Sequence, residues 1–223
     1  MSTFQSRLRI ATTLTATVLS WFAIATFLAE TFTPKPPRYS RDSTSQVEGN
    51  AVGPLTEWIA SVAPLRGDLL SAVAFARAGR LAQLGKTSAS SDLSAQREHA
   101  ISLAKESLSL APYSSTTWLL LANLEDLASD RPAAAEALKM SYLTSSADFE
   151  LIPKRLGVFA SVATKADPDL GDLARGDIRI VLTHRPDLKS AISDAYAKGS
   201  IDGRALTYEL VNSQDPAFAA TLR

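Results

Sequence analysis

AISLAKESLSLAPYSSTTWLLLANLEDLASDRPAAAEALKMSY, residues 100–142, decides how the rest of the chain is read. Ala100, Ala104 and Ser107 fall at helical spacing and the run stops at Pro112. After a polar connector come Trp118, Leu121 and Ala122, then Ala134, Leu138 and Ser141. Residues three and four apart share one face of a helix, so these two sets predict helices over 114–128 and 130–144 that mesh face to face. Small side chains at the crossing let the two helices approach closely.

This order of small, aromatic and proline positions resembles the tetratricopeptide repeat, whose helical hairpins recur about every 34 residues. The pattern departs from that family at two places: Glu125 stands where an aromatic is usual, and Ser146 occupies the proline site. Looser echoes follow in Ala174, Ile178, Val181 and Pro186, and in Ala205, Tyr208, Val211 and Pro216, at uneven spacing. Their first helices are expected over 150–163 and 188–198. The resemblance spans about residues 65–216 and is specific only at its centre. It implies an all-α fold: antiparallel helical hairpins stacked as a short tetratricopeptide-like α-solenoid.

Working outward, residues 94–111 predict the second helix of the preceding hairpin, with Ile101, Ala104 and Leu108 buried and Glu98, Lys105 and Glu106 in water. Residues 65–84 predict its partner, with Leu70, Val73, Ala74, Leu81 and Leu84 on one face and Gly85 as the stop. Lys86 to Asp92 reads as a polar loop. A short amphipathic helix is expected before it, carrying Leu55, Trp58, Ile59 and Val62 and ended by Pro64. Ile178, Ile180 and Leu182 alternate like a strand, but no comparable strands exist to pair with them, so helix is retained.

The N-terminal part has a different character. After a short basic tail (1–9) with Arg7 and Arg9, residues 10–29 carry no charge, which predicts a transmembrane helix acting as a signal anchor. Thr12, Thr13, Thr15, Thr17, Ser20 and Thr26 dilute its hydrophobicity, although a helical hydroxyl can return a hydrogen bond to its own backbone. A cleaved signal peptide is the competing reading, because Ala23-Ile24-Ala25 offers the small-x-small pattern. Lys35, Arg38 and Arg41 on the far side leave the charge count without a clear bias. The basic tail places the N-terminus inside and the remainder on the outer side of the cytoplasmic membrane, a periplasmic location. Residues 30–50, with Pro34, Pro36 and Pro37 and then Ser and Thr, are expected to form an extended linker, and residues 51–223 the helical domain.

Composition excludes much chemistry. Lys plus Arg and Asp plus Glu both number 23, so no net field attracts nucleic acid. The absence of cysteine removes disulfides, thiolate metal sites, a cysteine nucleophile and a lipoprotein anchor. His99 and His184 stand in no ligand spacing and read as exposed helix residues. Asp167, Asp169, Asp172 and Asp177 lack the glycine and closing glutamate of a calcium loop, and Asp167 before Pro168 reads as a helix N-cap. Gly85-Lys86-Thr87 ends like a phosphate-binding loop, but the earlier glycine would fall at Arg80 and a helix precedes it. No serine lies in a nucleophile elbow.

These readings predict a binding module without a cofactor or catalytic centre: a membrane-anchored scaffold for another protein, in cell-envelope, polysaccharide or secretion assembly. A structural subunit of a larger membrane complex, or an enzyme with an unrecognised site, are the alternatives. The partner surface is expected where the helical period turns Leu119, Asn123 and Asp126 away from the hairpin seam, an apolar residue beside an amide and a carboxylate.

Overall fold

The computed structural model describes residues 2–31, 38–39, 47–48, 66–84, 90–146 and 148–222. The expected helix around Trp58, the Gly85 stop and most of the linker lie outside these residues. Helix α1 is Ser2–Thr31, and a two-residue antiparallel ladder pairs β1 (Arg38–Tyr39) with β2 (Val47–Glu48), Arg38 opposite Glu48. The domain follows as α2 (Gly67–Leu84), α3 (Ser90–Leu110), α4 (Ser115–Leu127), α5 (Arg131–Thr144), α6 (Ile152–Val162), α7 (Pro168–Thr183), α8 (Lys189–Lys198), α9 (Ile201–Asn212) and α10 (Pro216–Ala220). A single 3-10 turn, Pro186–Leu188, leads into α8. The all-α expectation holds, including helix rather than strand at Ile178–Leu182.

Local chemistry explains where the helices begin. Ser114, Asp130, Asp167, Ser200 and Asp215 cap α4, α5, α7, α9 and α10, each side chain accepting from a backbone N–H one turn ahead. Such a cap satisfies one of the donors that every helix start leaves without an intrahelical partner. Proline follows at the first or second helical position in α5, α7 and α10, where its missing N–H costs nothing. Asp92, expected in a loop, instead lies in the first turn of α3, where its charge faces the positive end of the helix. Between α4 and α5 the chain turns at Ser129, whose φ of 65° lets Asp130 N–H reach the Glu125 carbonyl at 3.0 Å.

Two hairpins pack in sequence order: α2 against α3 and α4 against α5, with α3 also seated on α4. The α4–α5 seam contains the predicted Leu121, Ala122, Ala134, Leu138 and Ser141, all buried. Buried polar atoms pair across the helices: in this seam Ser141 Oγ donates to the Ser115 carbonyl at 3.0 Å, between α3 and α2 Ser107 Oγ donates to the Gly67 carbonyl at 2.7 Å, and between α2 and α4 the Ser71 and Thr117 hydroxyls meet at 2.8 Å. Glu125, at the position where the repeat pattern has an aromatic, is buried and its carboxylate meets Lys105 Nζ at 2.8 Å.

Trp118 is half-buried against the core that contains this seam, and its indole Nε1 donates to the Pro112 carbonyl at 2.7 Å, which also ties it to the α3–α4 turn. From α6 onward the pairing changes. α6 packs chiefly on α8, and it also touches α4, α5, α7 and α9, so it becomes the centre of the C-terminal half instead of one arm of a third hairpin. The link between α8 and α9 lies on α6. The Ala160 carbonyl, near the α6 end and short of an intrahelical donor, accepts from Ser200 N–H at 2.9 Å.

The span expected at residues 10–29 falls within helix α1. Among the described residues, no helix is long and apolar enough to cross a membrane. The side chains of Ala25 and of residues 28–30 lie outside the described set, and the threonines dilute what remains. The helix itself is formed, and every described side chain from Ile10 to Phe27 is exposed, Trp21 and Phe22 among them. Thr15, Thr17 and Thr26 return their hydroxyls to the carbonyls of Ala11, Thr13 and Phe22 at 2.8–2.9 Å.

Candidate functional site

The end of α5, the start of α6 and the middle of α7 converge on three buried polar side chains: Tyr142, Arg155 and Asp177. Arg155 is fully buried on α6, between Ile152, Leu156 and Phe159. Its guanidinium is spent on the C-terminal end of α5. Nε donates to Ser141 Oγ at 3.1 Å, and Nη2 donates to the Ser145 carbonyl at 2.7 Å and, in a short bond, to the Ser141 carbonyl. The last carbonyls of a helix lack intrahelical donors and form its negative pole, so a cation with planar N–H groups satisfies both needs at once. The guanidinium also lies over the Tyr142 ring, 4.9 Å from its centroid.

Asp177 is 2% exposed, and burial pushes its carboxyl up to about 7, against the opposing pull of the Arg155 charge and the Tyr142 hydroxyl. Tyr142 is shifted well up by burial and next by the Asp177 charge. The two groups sense each other without closing a hydrogen bond. Tyr142 Oη, Asp177 Oδ2 and Arg155 Nη1 are all buried with no hydrogen-bond partner among the described residues. Buried polar atoms are ordinarily paired, so three unpaired ones in one cluster are unusual.

Beside the cluster lies a cleft of about 720 Å³ whose lining includes Tyr142 and Asp177 and the apolar Phe149, Leu173 and Ile180. Its rim carries Arg179, His184 and Arg185. Arg185 is held by Asp187 through two bonds of 2.9 and 2.7 Å and lies 5.9 Å from the Phe149 ring centroid. The arrangement can bind an apolar group with a polar tip. At its edge the Thr183 hydroxyl meets His184 Nδ1 at 2.6 Å, and among the described residues no group of three His, Cys, Asp or Glu is set to hold a metal ion.

The titration of Asp177 has a definite sign. Its carboxyl titrates near 3.8 in an unfolded chain and near 7 in the fold, so between those values the folded state holds the proton more tightly. The contribution of this group is therefore full below about pH 4 and is lost as pH rises toward about 7. Urea midpoints measured across that interval should show such a falling component, and Asp177→Asn should remove it. An identical slope in the variant would mean that Asp177 ionises as a solvated carboxylate.

The residues expected to meet a partner are placed elsewhere. Leu119 is 1% exposed because α4 is enclosed by α3, α5 and α6, which corrects its assignment to an open inner surface. Asn123 and Asp126 are half-buried, and Asp126 Oδ1 accepts from Ser161 Oγ of α6 at 2.9 Å. The structure does bring Asn123 and Asp126 to one side of α4, but that side is where α6 docks. Arg155 and Tyr142 went unrecognised, and Asp177 was considered only as a calcium ligand. A signal existed for two of them. Arg155 interrupts the apolar series Ile152, Leu156, Phe159, and Asp177 interrupts Ala174, Ile178, Val181, each a charge on a core-facing stripe. Compared with protein-family models, curated proteins and solved structures, the chain matches none.

Proposed function

We propose that this chain is a membrane-tethered helical scaffold whose domain docks a segment of another protein, with no catalytic role of its own. The cleft beside α5 and α7 carries this reading, with apolar residues and a few polar groups in its lining. Pockets of this make hold ligands by burying apolar surface and orient them with a small number of polar contacts. The hairpin order of α2–α5 and the seam around Leu121, Ala122 and Leu138 support a tetratricopeptide-like solenoid at the centre of the domain, which the C-terminal half modifies into a more globular cap.

The tether is assigned to α1. Large apolar side chains exposed around the whole helix, with threonine hydroxyls turned back onto the backbone, suit a lipid environment better than water. The N-terminus would lie inside and the domain on the outer side of the cytoplasmic membrane, where envelope, polysaccharide or secretion assemblies offer partners. No cofactor is assigned.

The test places a photo-crosslinking residue at Ser146, at the cleft mouth, or at the exposed Ile201 on α9, in the full chain expressed in cells. The expected result is a discrete protein adduct from position 146 only, in a membrane fraction that resists an alkaline wash. Equal labelling from both positions would sink the docking reading, and recovery in the soluble fraction would sink the tether.

A further inference from the structure

Asp177 and Tyr142, both in the cleft lining, each carry a buried polar atom without a hydrogen-bond partner among the described residues, Oδ2 and Oη, in side chains 2% and 3% exposed. We propose that these two atoms form a subsite for a neutral amide, whose N–H donates to Asp177 while its carbonyl accepts from Tyr142. This rests on the docking reading and names what the partner inserts: an asparagine or glutamine carboxamide, or a main-chain peptide group, carried on an apolar stem.

Charge accounting selects the amide. Arg155 and Asp177 are both buried and of opposite charge, and the Arg155 charge acts on the Asp177 carboxyl, so the cluster is already neutral when Asp177 is ionised. A cationic tip would leave an extra positive charge in a low-dielectric site, and an anionic tip would face the Asp177 carboxylate directly; either carries a large desolvation cost. At the rim Arg185 is held by Asp187 and Asp172 by Arg175, and His184 Nδ1 meets Thr183 Oγ1 at 2.6 Å, while Arg179 stands at the cleft edge beyond the buried pair of atoms. A neutral group with one donor and one acceptor pairs both open atoms and changes no charge. The walls of Phe149, Leu173 and Ile180 then bury the stem that carries it.

Three probes of one shape separate the possibilities: benzamide, benzoate and benzylammonium. The full chain, nitrogen-15 labelled in detergent micelles near pH 8, is titrated with each while the Gly176 and Asp177 amide signals are followed. Benzamide is expected to shift them saturably, and the two ions to bind at least about tenfold more weakly, a difference of about 1.4 kcal/mol. Tyr142→Phe should weaken benzamide about fivefold with the remaining spectrum unchanged, in line with the loss of one hydrogen bond. Benzylammonium or benzoate binding as tightly as benzamide, an unchanged benzamide affinity in Tyr142→Phe, or no saturable shift from any probe would each overturn the amide subsite. None of these readings depends on a protein partner. A site that binds benzamide while position 146 captures nothing would leave the subsite standing and remove the docking function.

Discussion

Arg155→Met should lower the unfolding free energy by about 3 to 5 kcal/mol, the range found when one partner of a buried charge pair is removed. Methionine is close to arginine's aliphatic stem in length and carries no polar head, so much of the packing volume is kept and the loss reports chiefly on the polar contacts. Three donated bonds disappear, and the Ser141 and Ser145 carbonyls at the end of α5 are left with fewer donors. Asp177 loses the charge that holds its carboxyl down, so its ionisation moves further up from about 7 and the variant should suffer most at alkaline pH. The double variant Arg155→Met, Asp177→Leu should recover much of the loss, because two buried charges are then replaced by apolar volume. Urea denaturation of all three proteins at one pH checks this. A single-variant loss below about 1 kcal/mol would place the guanidinium in water instead of on the α5 end.

The second large effect belongs to a glycine. Gly203, in the first turn of α9, lies so close to α6 that an added Cβ would stand 1.8 Å from the Ala160 carbonyl oxygen and 2.6 Å from its carbon. Backbone must move to admit it, and that same oxygen is the acceptor for Ser200 N–H. Gly203→Ala should therefore destabilise at or above the upper end of the usual range of about 1 to 3 kcal/mol for overpacking. Gly157→Ala provides the matched control: it sits in α6 with nothing within 4 Å of the added carbon, and should stabilise by about 0.5 to 1 kcal/mol through helix propensity alone. Thermal or urea unfolding of both variants measures the difference in sign. Two variants that move together would mean that α9 does not approach α6 so closely.

What could be read from the chain alone shares one property: it is local. The caps at Asp130, Asp167 and Ser114 act on N–H groups two or three residues ahead, and the stripe Leu121, Ala122 against Ala134, Leu138 follows from a fixed helical period, so neither needs the rest of the molecule. The all-α class and most helix boundaries were determined at that level, the start of α3 at Ser90 excepted. Which face of a helix is covered, and by what, depends on partners distant in sequence. Trp118 fits the repeat pattern and its indole also reaches the Pro112 carbonyl, and Leu119 is core because α6 closes the side of α4 expected to be open. The cleft arises the same way. A buried arginine and aspartate would each be unfavourable alone, and only the packing of α5, α6 and α7 sets Arg155 on carbonyls of Ser141 and Ser145 and leaves Asp177 and Tyr142 facing a cavity. Desolvation and Coulomb energies act across space between elements, so the tertiary structure decided where the charges went, while the sequence by itself determined the helices that carry them.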